Sequence, residues 1–221
     1  MTNRGIRIAK IFGIKIRVDW SWLLILLLVI WNLSTAFSQM HSDWSLPLTI
    51  SIAVIAALLF FLSVLLHELA HSLVAKGQGI PVDSITLFLF GGVANIREEP
   101  KSPGNEFLMA ILGPVTSLVI GGILILIASI GLPISQLFQT QPLEILQQFS
   151  PLRTIAFWLG SINIVLGLFN LIPGFPLDGG RVLRSILWAI TQNLRKATRW
   201  ASDVGQVIAW GLIISGIAMI F

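Results

Sequence analysis

The chain has 221 residues, 55% hydrophobic and only 11% charged, with a mean hydropathy of +0.89, where a soluble domain carries roughly a quarter charged residues; lipid is therefore its solvent. Fourteen bases against ten acids leave a net charge of +4, which in so apolar a chain is the basic bias of cytoplasmic loops and not a nucleic-acid surface. Cysteine is absent, which excludes disulfides, thiolate catalysis and sulfur ligands, and only His41, His67 and His71 are left as nitrogen donors for a metal.

Residues 1–18 carry Arg4, Arg7, Lys10, Lys15 and Arg17, with Ile6, Ile8, Ile14, Ile16 and Val18 at alternate positions around Gly13. This pattern predicts two short strands at the membrane surface. Residues 20–37 form a first apolar span with Trp20 and Trp22 at its mouth, where an aromatic belt belongs. The run is long enough to span and has no small-residue cleavage site, so it reads as a retained anchor and not as a signal peptide. Residues 38–47 hold no Lys or Arg. A second span covers 48–75 and ends at Lys76.

Residues 81–96, with the run LFLFGGVAN, predict strands around a glycine turn. Arg97, Glu98, Glu99, Lys101 and Pro103 make a polar break before a third span over 105–130. Residues 132–151 are polar, Gln-rich and free of Lys and Arg. A fourth apolar run over 153–172 is broken by NLIPGFPLDGG, and a short helix is expected over 180–191. Arg195, Lys196 and Arg199 follow, and a last apolar run, 204–221, reaches the end of the chain without a polar tail, as a fragment would. The spaced small residues Gly160 and Gly167, and Gly113 and Ser117, read as helix-packing contacts.

The bases cluster at the amino terminus, at 76–101 and at 181–199, and avoid the segments between spans one and two and between spans three and four. The amino terminus is thereby expected in the cytoplasm, with five spans. The fold class expected is an all-α polytopic membrane protein with short membrane-associated β-strands near the amino terminus and after the second span. All 221 residues fall in one transmembrane domain.

His67-Glu68-Leu69-Ala70-His71 is an HExxH sequence inside an apolar helix. Residues four apart share a helical face, so His67 and His71 can offer two nitrogens to one metal. Glu68 projects near the same side and can act as general base toward a water that the metal activates. His71 precedes Lys76 by five residues, about 8 Å of helix, which sets the cluster below the cytoplasmic surface. Ionisable groups at that depth are costly without a partner, and a dication supplies one. The plainer alternative is a polar cluster pairing between helices. His41, beside Ser42 and Asp43 in an outer loop, reads as a solvated surface residue.

Catalytic zinc sites have three protein ligands and an open position, so a third donor is needed. Asp178 is the leading candidate, a lone carboxylate in the Pro- and Gly-broken run 170–180. Its competing reading is an N-cap for the helix beginning at Gly180.

HELAH (67–71) with NLIPGFPLDGG (170–180) resembles the site-2 protease family of intramembrane zinc metalloproteases. FGGVAN (90–95), SPGNEF (102–107), ILGP (111–114) and the basic amino terminus leading into Val18-Asp19-Trp20 also look like that family, so the resemblance covers nearly the whole chain. The resemblance implies one zinc per chain, ligated by His67, His71 and Asp178. It implies Glu68 as general base and later proton donor to the leaving amine, and Asn170 as a hydrogen-bond partner of the substrate backbone or oxyanion. Gly91, Gly92 and Asn95 would belong to a strand and loop that pair with an unwound substrate. Members of the family with this amino terminus look to continue into a sixth span and paired CBS domains, which this sequence lacks.

The function expected is zinc-dependent intramembrane endopeptidase, with a transmembrane protein as substrate, the lipid bilayer as surroundings and no nucleic-acid partner. The setting expected is a prokaryotic plasma membrane. Competing readings are a zinc hydrolase acting on soluble or lipidated peptides, and a non-proteolytic zinc-bound scaffold or metal transporter.

Overall fold

The computed structural model describes residues 5–89, 91–96, 98–132 and 142–219. Phe90, Arg97 and the stretch 133–141 of the outer polar segment lie outside the described residues, as do residues 1–4 and 220–221.

Strands β1 (Ile6–Ile11) and β2 (Ile14–Val18) form a hairpin, followed by helices α1 (Trp20–Met40) and α2 (Leu46–Gly77). A second hairpin, β3 (Val82–Phe88) and β4 (Gly91–Ile96), leads into α3 (Pro103–Ser129). Then come α4 (Pro142–Gln147), α5 (Pro151–Asn170), α6 (Asp178–Thr191) and α7 (Leu194–Ala218). Helices α1, α2, α3, α5 and α7 are each long and apolar enough to cross a membrane, which matches the five expected spans. Half of the most apolar window of α2 is buried, against 11% in α1 and in α7, so α2 is central and those two are peripheral.

The two hairpins, about 60 residues apart in sequence, join into one four-stranded sheet of order β1-β2-β3-β4. The β2–β3 pair is parallel, with Lys15 opposite Ser84 and Val18 opposite Leu87, and the outer pairs are antiparallel. Alternation decides the packed face: Ile14, Ile16 and Ile85 point at Leu65 and Leu69 of α2. The sheet therefore lies along the second half of α2, beside the HExxH turn. Lys76 Nζ donates to the Phe12 carbonyl at 2.6 Å and pins the hairpin tip to the end of α2.

Helices α3 and α5 pack through glycines. Gly160 lies on the Gly121 backbone and Gly167 on Leu118 and the Pro114 carbonyl, so a Cβ at either would collide. The packing role expected of Gly160 and Gly167 is what the structure has.

One expectation needs correction, and two helices add to what the sequence outlines. His41 is not solvated: it is 2% exposed, stacks on Trp44 with ring centroids 3.9 Å apart, and shares a hydrogen bond with Thr154 Oγ1 at 3.0 Å. The tight turn from α1 into α2 folds this ring over the start of α5. The last helix begins at Leu194, ahead of the apolar run at 204–221, because Asn193 caps it by accepting from the Lys196 N–H, and Ala197, Ala201 and Gly205 make a buried stripe under the basic residues. The polar segment 132–151 contains the short helix α4.

Candidate metal centre

Helices α2 and α3 run antiparallel, so residues four apart on one meet residues four apart on the other. His71 Nδ1 donates to the Met109 carbonyl at 2.6 Å. His67 Nδ1 lies 2.9 Å from Ser117 Oγ. Gly113 sits midway between Met109 and Ser117, where a Cβ would press on both Nε2 atoms. Ser117 and Gly113 thus do more than pack helices. They form the floor and one wall of a site, a role the small-residue spacing alone does not distinguish from lipid-span packing.

The bond to Met109 leaves Nε2 of a neutral His71 as a lone pair. It faces His67 Nε2 at 3.2 Å, and Asp178 Oδ2 stands 3.1 Å from the first imidazole nitrogen, on His67, and 3.2 Å from the second, on His71. Three electron-pair donors converging in a buried pocket repel one another unless a cation lies between them. The spacing fits one: two donors held at zinc's usual ~2.0–2.1 Å in tetrahedral geometry stand about 3.3 Å apart. Both histidines are 95% or more buried, and each has its Nδ1 engaged, the arrangement that orients ligating imidazoles. His67, His71 and Asp178 therefore form a group that can hold a metal ion.

Asp178 reaches this point because its turn is tightly folded. A Cβ on Gly179 would strike the Leu171 and Ile172 backbone, and one on Gly180 would strike Gly174 and Phe175. Helix α6 starts at Asp178 itself, after an N-cap residue, Leu177, without a side-chain cap. The carboxylate is thus not a cap and is free to point at the histidines, with the positive end of the helix behind it. Six residues further along α6, Arg184 ion-pairs with Glu106, which is fully buried on the first turn of α3. This pair locks α6 to α3.

The site opens on a cavity of about 740 Å³. Its walls are apolar at one end, with Ile25, Val29, Phe60, Phe61 and Val64. Glu68, Asn170, Gly91, Gly92 and Arg181 also line it. Glu68 lies against β4: a Cβ on Gly92 would overlap its side chain. Asn170 ends α5 and uses one amide hydrogen on the Leu166 carbonyl at 3.0 Å, leaving the other for a ligand. Asn95 stands apart, exposed on β4 and not among the cavity-lining residues. Met109 and Arg181 carry no site reading in the sequence, and Gly113 and Ser117 read there only as packing contacts. Arg181 carried a signal, because it follows Asp178 by three and so shares its helical face.

Replacing Ser117 by Ala removes the partner of His67 Nδ1. The expected result is a metal affinity weaker by roughly 10–100-fold, as for other outer partners of ligating histidines. A titration against a competing chelator measures it, and unchanged helix content by circular dichroism rules out unfolding.

Residues 55–212 match the family model of peptidase family M50. The chain is 45% identical over 220 residues to the Synechocystis protein named "Putative zinc metalloprotease sll0528". That alignment covers 97% of this chain and 52% of that protein. It is 35% identical over 217 residues to the zinc metalloprotease MJ0392 of Methanocaldococcus jannaschii, covering 97% of this chain and 55% of that one. The chain thus spans about half the length of these curated relatives. Its fold is similar to the solved site-2 protease from Methanocaldococcus jannaschii, with a TM-score of 0.59 and 32% identity, over 98% of this chain and 86% of that one.

Proposed function

This chain belongs to peptidase family M50 and shares the site-2 protease fold, and on that footing we propose that it is a zinc-dependent endopeptidase that cuts transmembrane segments of other membrane proteins. Its described helices and sheet act as one transmembrane domain in a prokaryotic plasma membrane, with the amino terminus in the cytoplasm. The observation that carries the proposal is the convergence of His67 Nε2, His71 Nε2 and Asp178 Oδ2 at 3.1–3.2 Å, with Glu68 beside them in the same cavity.

His67, His71 and Asp178 are the ligands. Zinc held there would polarise the scissile carbonyl as a Lewis acid and lower the pKa of a water toward about 7. Glu68 takes the proton of the attacking water and later delivers it to the leaving amine nitrogen. The free amide hydrogen of Asn170 is available to the substrate carbonyl. Strand β4 ends the sheet beside Glu68, so an unwound substrate can add to it as a further strand, which exposes a carbonyl that a helix would keep bonded. Gly91 and Gly92 keep that edge free of side chains, and Asn95 is on the same strand.

The test is zinc stoichiometry and cleavage of a model transmembrane protein by the purified chain in detergent. One zinc per chain, cleavage within the apolar segment, and loss of both on chelation with recovery on zinc addition are expected. Bound zinc without cleavage of any transmembrane substrate leaves a scaffold and overturns the proposal.

A further inference from the structure

Two arginines one turn apart on α6 have different surroundings. Arg184 is paired with Glu106, with Glu99 Oε1 also 3.8 Å from its guanidinium. Arg181 lines the cavity and makes no hydrogen bond or ion pair among the described residues. The anions near it are already committed: Asp178 to the two histidines, and Glu106 to Arg184. Glu68 shares the cavity with Arg181 and attracts it through charge, with no hydrogen bond or ion pair between them among the described residues. A half-buried guanidinium whose N–H groups have no acceptor is unfavourable, and it is a planar fork suited to two oxygens.

Its place along the cavity is set by the contacts on either side. Asp178 meets His67 and His71, while Arg184 meets the first turn of α3. Gln78, just past the end of α2, donates to Asn105 of that same turn. Helix α6 therefore runs from the metal centre toward the end of α2, which carries Lys76, and the start of α3, and Arg181 lies on that side of Asp178. Phe60, Phe61 and Val64 precede His67 on α2 and form the opposite end. The cavity is apolar on the bilayer side and, among the described residues, has one cation without a hydrogen-bond partner on the cytoplasmic side.

We propose that Arg181 is a specificity residue that binds a carboxylate side chain of the substrate on the cytoplasmic side of the scissile bond. This rests on the protease reading and adds to it a class of substrate: transmembrane segments whose apolar run is followed by Asp or Glu. Membrane segments usually carry Lys or Arg at their cytoplasmic end, and Arg181 repels those. The cation thus admits a minority of segments and excludes the common kind.

The probes are three transmembrane peptides identical except for Asp, Asn or Lys at that position. Binding is measured to the zinc-loaded chain carrying Glu68→Gln, which holds peptide without needing to cut it. The expected order is Asp, then Asn, then Lys, with about tenfold between the first and last, the scale of one charge-assisted pair. Adding Arg181→Gln levels Asp and Asn, and adding Arg181→Glu reverses the order, with zinc content unchanged as the check on folding. An order that persists in Arg181→Gln overturns the proposal, as does an equal loss for all three peptides, which marks a residue that only shapes the cavity. The chain with Glu68 intact separates the two readings: if it cuts none of the peptides while the binding order follows Arg181, proteolysis fails and the anion subsite stands.

Discussion

Glu68→Gln lowers cleavage by roughly 10²–10⁴-fold, the usual contribution of a general base, while zinc content stays at one per chain. The separation of the two readouts comes from geometry. Glu68 follows His67 directly on α2 and lines the cavity, but it is outside the group of donor atoms formed by His67, His71 and Asp178. Glutamine keeps the shape that fits against Gly92 and removes only the ability to accept a proton. Asp178→Ala behaves differently, because it takes away a ligand and lowers zinc affinity and cleavage together. Single-turnover cleavage and metal analysis on the same preparations decide the matter. Cleavage by Glu68→Gln at the parent rate would remove Glu68 from the mechanism.

The candidate donor group is legible in the sequence where it is local. HExxH places two imidazoles on one face by helical period alone, whereas Asp178 is only the leading candidate for a third donor beside its N-cap reading. Contacts made across the fold were not. The amino-terminal strands and the 81–96 hairpin each showed alternation, but nothing in either said that β2 pairs in parallel with β3. His41 looked like a loop residue because burial by the start of α5 depends on how α1 and α2 turn, and a sequence window does not contain that. Helix α7 starts ten residues before the apolar run at 204–221, because apolarity defines a span whereas a cap at Asn193 defines the helix. Gly113 and Ser117 looked like packing residues because small side chains four apart serve close helix approach and a recessed metal site equally well.

That last ambiguity gives the most discriminating substitution in the molecule. Gly113→Ala adds one methyl group where the two Nε2 lone pairs meet; its Cβ would lie 2.8 Å from His67 Nε2 and closer still to the His71 ring. Neither ring can yield without losing its anchor, since Nδ1 of one is held by Met109 and that of the other by Ser117. Helix α3 cannot retreat either. The Glu106–Arg184 pair ties its first turn to α6, and the Gly121–Gly160 backbone contact ties its far half to α5. Overpacking of this kind costs about 1–3 kcal/mol even in an ordinary core. Here it falls on the ligand atoms, so zinc affinity should drop by at least about 100-fold and cleavage should vanish with it. Gly122→Ala is the control nine residues along the same helix, where an added Cβ meets nothing within 4 Å. There the methyl group improves helix propensity by about 0.5–1 kcal/mol, so the chain should melt slightly higher and bind zinc as before. Equal zinc affinity in the two variants would mean that α3 does not form the floor of the metal centre.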